Sequence, residues 1–195
     1  ALWKVSKSLY RNQAKSFLHN RGITDWDIKK YKIGFCDSGL YEGRIIIPSY
    51  DEDGKLNYFV ARDMFPNSKF KYKNPPMSKD TVCFEMFINW DLPLVLCEGP
   101  FDAIAIKRNV IPLLGKNIQS NLMKKLVSSK VKKIYIALDT DAIKQALKFC
   151  EELLNEGKEV YLVELPGKDP SEMGFKEFTK LVQKATPLNQ FSLME

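Results

Sequence analysis

From residue 93 onward the chain alternates short apolar runs with stretches of helical period, and this alternation limits the possible folds more than any other feature of the sequence. The runs PLVLC (93–97), VIPLL (110–114), KIYIAL (133–138) and EVYLVE (159–164) have strand length and almost no polar interruption. Helices are predicted between and after them, near 101–109, 117–128, 142–156 and 171–184. Strands separated by helices pair in parallel, and a parallel sheet is covered by helices on both faces. This part of the chain is therefore expected to be α/β, its sheet sandwiched by helices. The tail ATPLNQFSLME (185–195) is expected to pack on the sheet edge.

The preceding residues have a different texture. YRNQAKSFLHNRGITDWDIKKY (10–31) predicts a helical hairpin, in which Phe17 and Leu18 close the first helix, Arg21 and Gly22 stop it and Thr24 caps the second. GRIIIPSYDEDGKLNYFVARDM (43–64) then changes period: a β-branched run, an Asp-Gly turn at Asp53 and Gly54 and a second strand from about Leu56 to Arg62 predict a β-hairpin. In FPNSKFKYKNPPMSKD (65–80), Lys69, Lys71, Lys73 and Lys79 alternate with aromatic residues and no acid occurs before Asp80; the prolines and asparagines predict a loop. The chain is expected to divide into a small basic α+β subdomain with a β-hairpin at 1–92 and an α/β domain at 93–195.

Three of the predicted strands run into acids. Glu98 follows LVLC, Asp139 and Asp141 follow IYIAL, and Asp169 stands in the GKDP after EVYLVE. The carboxyl ends of parallel strands share one edge, and ligands collect outside it, so acids distant in sequence should converge in space. Carboxylates brought close together repel one another unless they are protonated or share a cation. A hard divalent ion, Mg²⁺ or Mn²⁺, suits carboxylates together with waters and phosphate oxygens. Each acid taken alone has a plainer explanation, above all Asp141, which can cap the helix AIKQALKFCEELL. Asp102, one turn into its helix, can equally form a salt bridge or orient its neighbours. The conjunction of Glu-Gly-x-x-Asp, Asp-x-Asp and Gly-Lys-Asp-Pro after three separate strands favours a shared site.

The net charge of +6 arises from 15 basic and 11 acidic side chains in residues 1–92 and 15 and 13 in the remainder. This mild surplus suits an anionic partner without identifying nucleic acid. Cys36, Cys83, Cys97 and Cys150 lie far apart, and His19 is the sole histidine, which excludes a zinc ribbon or a C-x-x-C redox motif and fits reduced thiols in a cytosolic protein. His19 itself reads as a helix-end residue. No signal peptide is visible, and apolar runs such as LPLVLC are too short to span a bilayer, so a cytoplasmic location and no membrane partner are expected.

The blocks EGPFDA (98–103), ALDTDA (137–142) and LPGKDP (165–170) resemble the three signature blocks of the Toprim domain, over about residues 93–184. That domain occurs in DnaG-type primases, in topoisomerases of types IA and II, and in some nucleases and recombination proteins. Upstream, AKSFLHNRGITDWDIKKYKIGFCDSG (14–39), GRIIIPSYDEDGKLNYFVARDM (43–64) and KFKYKNPP (69–76) resemble, in order, the N-terminal subdomain of the RNA polymerase core of DnaG-type primases, phage relatives included. The resemblance implies a Toprim-type parallel sheet behind the small α+β subdomain. It implies a primase core that makes short RNA primers on single-stranded DNA from ribonucleoside triphosphates, by metal-dependent nucleotidyl transfer during DNA replication, with Mg²⁺ or Mn²⁺ as cofactor.

Residue by residue, the resemblance implies Glu98, Asp139 and Asp141 as catalytic acids, Glu98, Asp139, Asp141 and Asp169 as metal ligands, and Asp102 as a supporting acid. Arg44, Arg62, Lys71, Tyr72 and Asn74 fall on the family's basic and polar motifs. Lys71, Arg62 and Arg44 are expected to form a basic wall facing the acids, and Tyr72 to stack on a base; KFKYK alone reads as well as a solvated loop. The resemblance also implies a minimal catalytic core, with a replicative helicase and a separate or upstream zinc-binding domain as partners, in a bacterial cell. AIKQA, without the common Ala-Gly pair, resembles phage variants. Where the family often has a second acid two residues after Asp169, this chain has Ser171, with Glu172 out of register. Two alternatives remain open at this stage: a Toprim-type metal-dependent nuclease, and a catalytically weak module that binds single-stranded DNA or assists a helicase. A topoisomerase would need a nucleophilic tyrosine on a domain that this short chain does not supply.

Overall fold

The first turn of the fold is set by a glycine and a threonine. In the computed structural model, which describes residues 10–65, 67–115 and 118–189, helix α1 (Tyr10–Asn20) ends in a turn where Gly22 takes φ +73°, a conformation that a side chain would oppose. Thr24 then caps α2 (Asp25–Lys30) through a complete capping box with Asp27. Strands β1 (Gly34–Cys36), β2 (Arg44–Tyr50) and β3 (Leu56–Asp63) form an antiparallel sheet in the order β1-β2-β3. The link between β2 and β3 is the predicted hairpin. Its tip is held by the Asp51 carboxylate, which accepts the N–H groups of Asp53 and Lys55. Strand β1 has only three residues and carries no readable period, so the sequence did not announce it.

The remaining elements alternate as expected: β4 (Leu94–Cys97), α3 (Pro100–Ile106), β5 (Val110–Pro112), α4 (Ser120–Ser128), β6 (Lys133–Ala137), α5 (Thr140–Asn155), β7 (Glu159–Leu162), α6 (Pro170–Gln183) and β8 (Thr186–Pro187). Their sheet has the order β5-β4-β6-β7-β8, parallel except for β8, which closes one edge antiparallel to β7. The tail expectation holds for Thr186 and Pro187, which pair with Leu162 and Tyr161; residues 190–195 lie outside the described residues. The fold is α/β, a parallel sheet covered on both faces and preceded by a small α+β unit. The pleat explains the burial. Val95 and Cys97 point into a core with Phe101, Ile104 and Phe178, which also holds Ile45, Ile47 and Phe84 from the first part of the chain. Leu94 and Leu96 point the other way, onto Leu122 and Leu126 of α4 and Ala146, Cys150 and Leu153 of α5. Among the described residues no helix is long and apolar enough to cross a membrane.

Two helix boundaries differ from the sequence expectation for reasons that bear on the site. Helix α3 stops at Ile106, three residues early, because Lys107 turns into the left-handed region (φ 52°) and donates its ammonium to the buried Asp27 carboxylate. Helix α5 starts at Thr140 because Asp139, rather than Asp141, is its cap: the Asp139 carboxylate accepts the Ala142 N–H at 2.7 Å. A capping oxygen must reach the N–H two or three residues on, and Asp141 is already inside the first turn. Helix α4 starts at Ser120, after an extended Gln119, and so later than the predicted Asn117, which itself lies outside the described residues.

Candidate active site

Because β5, β4, β6 and β7 run parallel, their carboxyl ends share one edge, and the acids of the sequence pattern stand where strands stop. Glu98 follows β4 directly. Asp139 and Asp141 follow β6, one as the cap and one in the first turn of α5. Asp169 is the capping-position residue of α6, beyond β7. All four residues are exposed to solvent.

Asp102 differs from them. It lies half-buried in the first turn of α3, and its carboxylate accepts the Ser171 N–H at 3.1 Å, tying α3 to the start of α6. Of its two alternatives, orienting a neighbour is the one seen. Burial raises the Asp102 carboxyl above the ordinary range, the nearby Asp169 charge adds to that, and the Ser171 N–H opposes it. The Ser171 side chain, in the register of the missing acid, is buried, and its hydroxyl has no hydrogen-bond partner among the described residues.

Among the described residues no group of three or more His, Cys, Asp and Glu is close enough to hold a metal ion as a ready cage. The exposed edge acids are nevertheless the right donors in kind for Mg²⁺ or Mn²⁺. Mg²⁺ keeps several waters and takes phosphate oxygens with one or two carboxylates, so an open edge suits it better than a closed pocket would.

The basic residues are divided by the pleat. In the β2–β3 register Arg44 pairs with Asp63 and Ile45 with Arg62, so Arg44 and Arg62 leave opposite faces of the sheet. Arg62 is on the face of Ile45 and Ile47, which shares its core with β4 and α3. Its guanidinium lies 4.7 Å over the Tyr72 ring, and its Nε, buried, has no hydrogen-bond partner among the described residues. A β-bridge joins the same two residues. Arg44 is 9% exposed and donates to the carbonyls of Phe70 (2.9 Å) and Lys71 (3.4 Å), with Asp63 at 3.7 Å. It therefore clips the 64–74 loop to β2 instead of facing solvent. Lys71 and Asn74 are exposed on that loop. Replacing Arg44 by Ala should cost about 2 kcal/mol, as the two carbonyls and Asp63 lose a charged partner. Thermal melting and proteolysis of the 64–74 loop measure it; an unchanged melting temperature with an intact loop would show that the clip contributes nothing.

One residue near the acids escaped sequence reasoning. Arg21 has its guanidinium 5.1 Å from the Phe17 ring and 5.3 Å from the Phe101 ring, and its charge acts to lower Asp102. The spacing of Phe17 and Arg21, one helical turn, was a usable signal. The contact with Phe101, eighty positions away, was not.

Residues 95–173 match the family described as Toprim-like. An uncharacterised protein of Mycoplasma genitalium, MG010, is 30% identical over 70% of this chain and 65% of its own length. The DNA primase of Aquifex aeolicus is 30% identical over 89% of this chain and 44% of its own length. Among solved structures, the zinc-binding and RNA polymerase domains of the Aquifex aeolicus primase superpose with a TM-score of 0.78 at 26% identity, over 93% of this chain and 58% of that one. The chain thus spans between about two fifths and two thirds of the lengths of these relatives.

Proposed function

Because the chain carries a Toprim-like domain and is related to DnaG-type primases, we propose that it is the catalytic core of a DNA primase, joining ribonucleoside triphosphates into short RNA primers on single-stranded DNA. The observation that carries this reading is the set of exposed carboxylates, Glu98, Asp139, Asp141 and Asp169, at the carboxyl edge of one parallel sheet.

In primer extension a 3′-hydroxyl attacks an α-phosphate, and negative charge builds on phosphate oxygens and departing pyrophosphate. Mg²⁺ or Mn²⁺ bound by these acids would neutralise that charge and align the attacking and leaving oxygens. Glu98, nearest the strand end, would hold the cation or accept the hydroxyl proton. Asp139 caps the N-terminal end of α5 with its carboxylate and Asp169 stands at that of α6, at the same edge, where helix dipoles favour phosphate. Asp102 acts behind them, through the Ser171 N–H. Arg62, over the Tyr72 ring, and the exposed Lys71 and Asn74 donate to phosphates, and Tyr72 offers a ring to a base. Arg44 serves this group by holding the loop that carries it. Single-stranded DNA, nucleoside triphosphates and the growing RNA are the partners this reading requires; a replicative helicase, a zinc-binding domain and a place in the bacterial cytoplasm are part of the same proposal.

The test is a primer-synthesis assay on single-stranded DNA with labelled ribonucleotides and Mg²⁺ or Mn²⁺. Short oligoribonucleotides are expected. Metal-dependent shortening of labelled DNA without synthesis would replace this reading by a nuclease, and DNA binding without either product would replace it by an accessory module.

A further inference from the structure

Helix α1 uses two flanks. Phe17 and Arg21, one turn apart, face Phe101 of α3 and hence the acidic edge. Arg11, Ala14, Lys15 and Leu18 follow the spacing of the other flank, and they line a groove of about 380 Å³ between α1, α2 and the start of the β1–β2 ladder. Its floor is aliphatic: Ile28 is partly exposed, over Ala14, Leu18, Ile33 and Ile45, which are almost wholly buried. Among the described residues, four cations, Arg11, Lys15, Lys29 and Lys32, stand around it with a single acid, Asp25. That acid already holds Lys15 and His19, each at 2.9 Å, and Lys32 lies over the Tyr50 ring. Arg11 and Lys29 have no ion-pair partner among the described residues.

We propose that this groove docks an acidic amphipathic helical segment of a partner protein. An amphipathic helix offers apolar anchors at i, i+3, i+4 and i+7, which suit an aliphatic floor, and its flanking carboxylates meet the cationic rim. Single-stranded nucleic acid would satisfy the rim but waste the floor. None of the described lining residues is aromatic, so bases would find nothing among them to stack on. The aromatic and basic side chains suited to nucleic acid, Arg62, Lys71 and Tyr72, are on β3 and the loop beside it. The groove would thus let the chain hold a protein partner while its acidic edge works.

The probe is a fluorescein-labelled peptide of about 15 residues with Leu at the anchor spacing and Glu at the flanking positions, compared with a scrambled peptide of the same composition. Binding to the full chain is read by fluorescence anisotropy, with labelled oligo-dT measured in parallel. The Arg11→Glu, Lys29→Glu double variant changes only exposed positions, and its melting curve checks its fold. The expected result is that the wild type prefers the amphipathic peptide to the scrambled one, and that the variant loses at least about tenfold in peptide affinity with oligo-dT binding unchanged. Equal binding of both peptides, equal binding by wild type and variant, or no measurable peptide binding would overturn the proposal. Loss of oligo-dT binding in the variant would assign the groove to the nucleic-acid path instead.

Discussion

Glu98→Gln should lower primer synthesis by about 10²–10³-fold while leaving the fold unchanged. The substitution keeps the shape of the side chain and removes its charge, and with it a ligand for the cation or an acceptor for the hydroxyl proton, a role worth about 3–4 kcal/mol of transition-state stabilisation. Glu98 is exposed at the end of β4 and outside both apolar cores, so melting should shift by no more than about 0.5 kcal/mol in equivalent stability. The two readouts are the single-turnover rate of dinucleotide formation at saturating Mg²⁺ and the melting temperature of the same preparation. A variant that keeps more than about a tenth of the rate would remove Glu98 from the chemistry and leave the edge acids without their nearest member.

Asp27→Ala should be the most damaging change away from that edge, with a loss of about 3 kcal/mol and a fall in melting temperature of about 6–12 °C for a chain of this size. Asp27 is 1% exposed. Its carboxylate accepts both the N–H (2.8 Å) and the hydroxyl (2.7 Å) of Thr24, and it receives the Lys107 ammonium. One side chain thus completes the capping box of α2 and anchors the end of α3. Lys107 is about a third exposed, which is why the ion pair is credited at the low end of the range for buried pairs. Burial raises the Asp27 carboxyl, but Lys107 and Thr24 outweigh it, and the net shift is downward. A carboxyl lowered by folding contributes its full stability above the unfolded value of about 4, and loses it as pH falls through the lower folded value. The gap in melting temperature between wild type and variant should accordingly be constant near neutrality and narrow in acid. A gap that widened in acid would mean that the shift has the opposite sign.

Much of the fold was legible because it rests on local patterns. The periods of residues 93–184 specified strands, helices and a parallel sheet, and parallel strands oblige the acids after β4, β6 and β7 to share an edge. The cap at Thr24 and the hairpin around Gly54 were readable for the same reason, since caps and turns depend on residues within a few positions of one another.

Register and long-range contact were decided only in three dimensions. That Asp139 caps α5 while Asp141 does not depends on where β6 ends, and helix starts shift by a residue or two without altering the apolar period. Arg44 and Arg62 looked alike as basic residues at the two ends of a hairpin, yet pairing Arg44 with Asp63 and Ile45 with Arg62 sends them to opposite faces. One becomes a clip for the loop, and the other a guanidinium held over the Tyr72 ring. Lys107 with Asp27 and Arg21 with Phe101 join residues eighty positions apart. A sequence period reports which side of an element is apolar. It carries no information about which charged side chain of another element will stand opposite, because that is set by the packing of the two sheets around their common core.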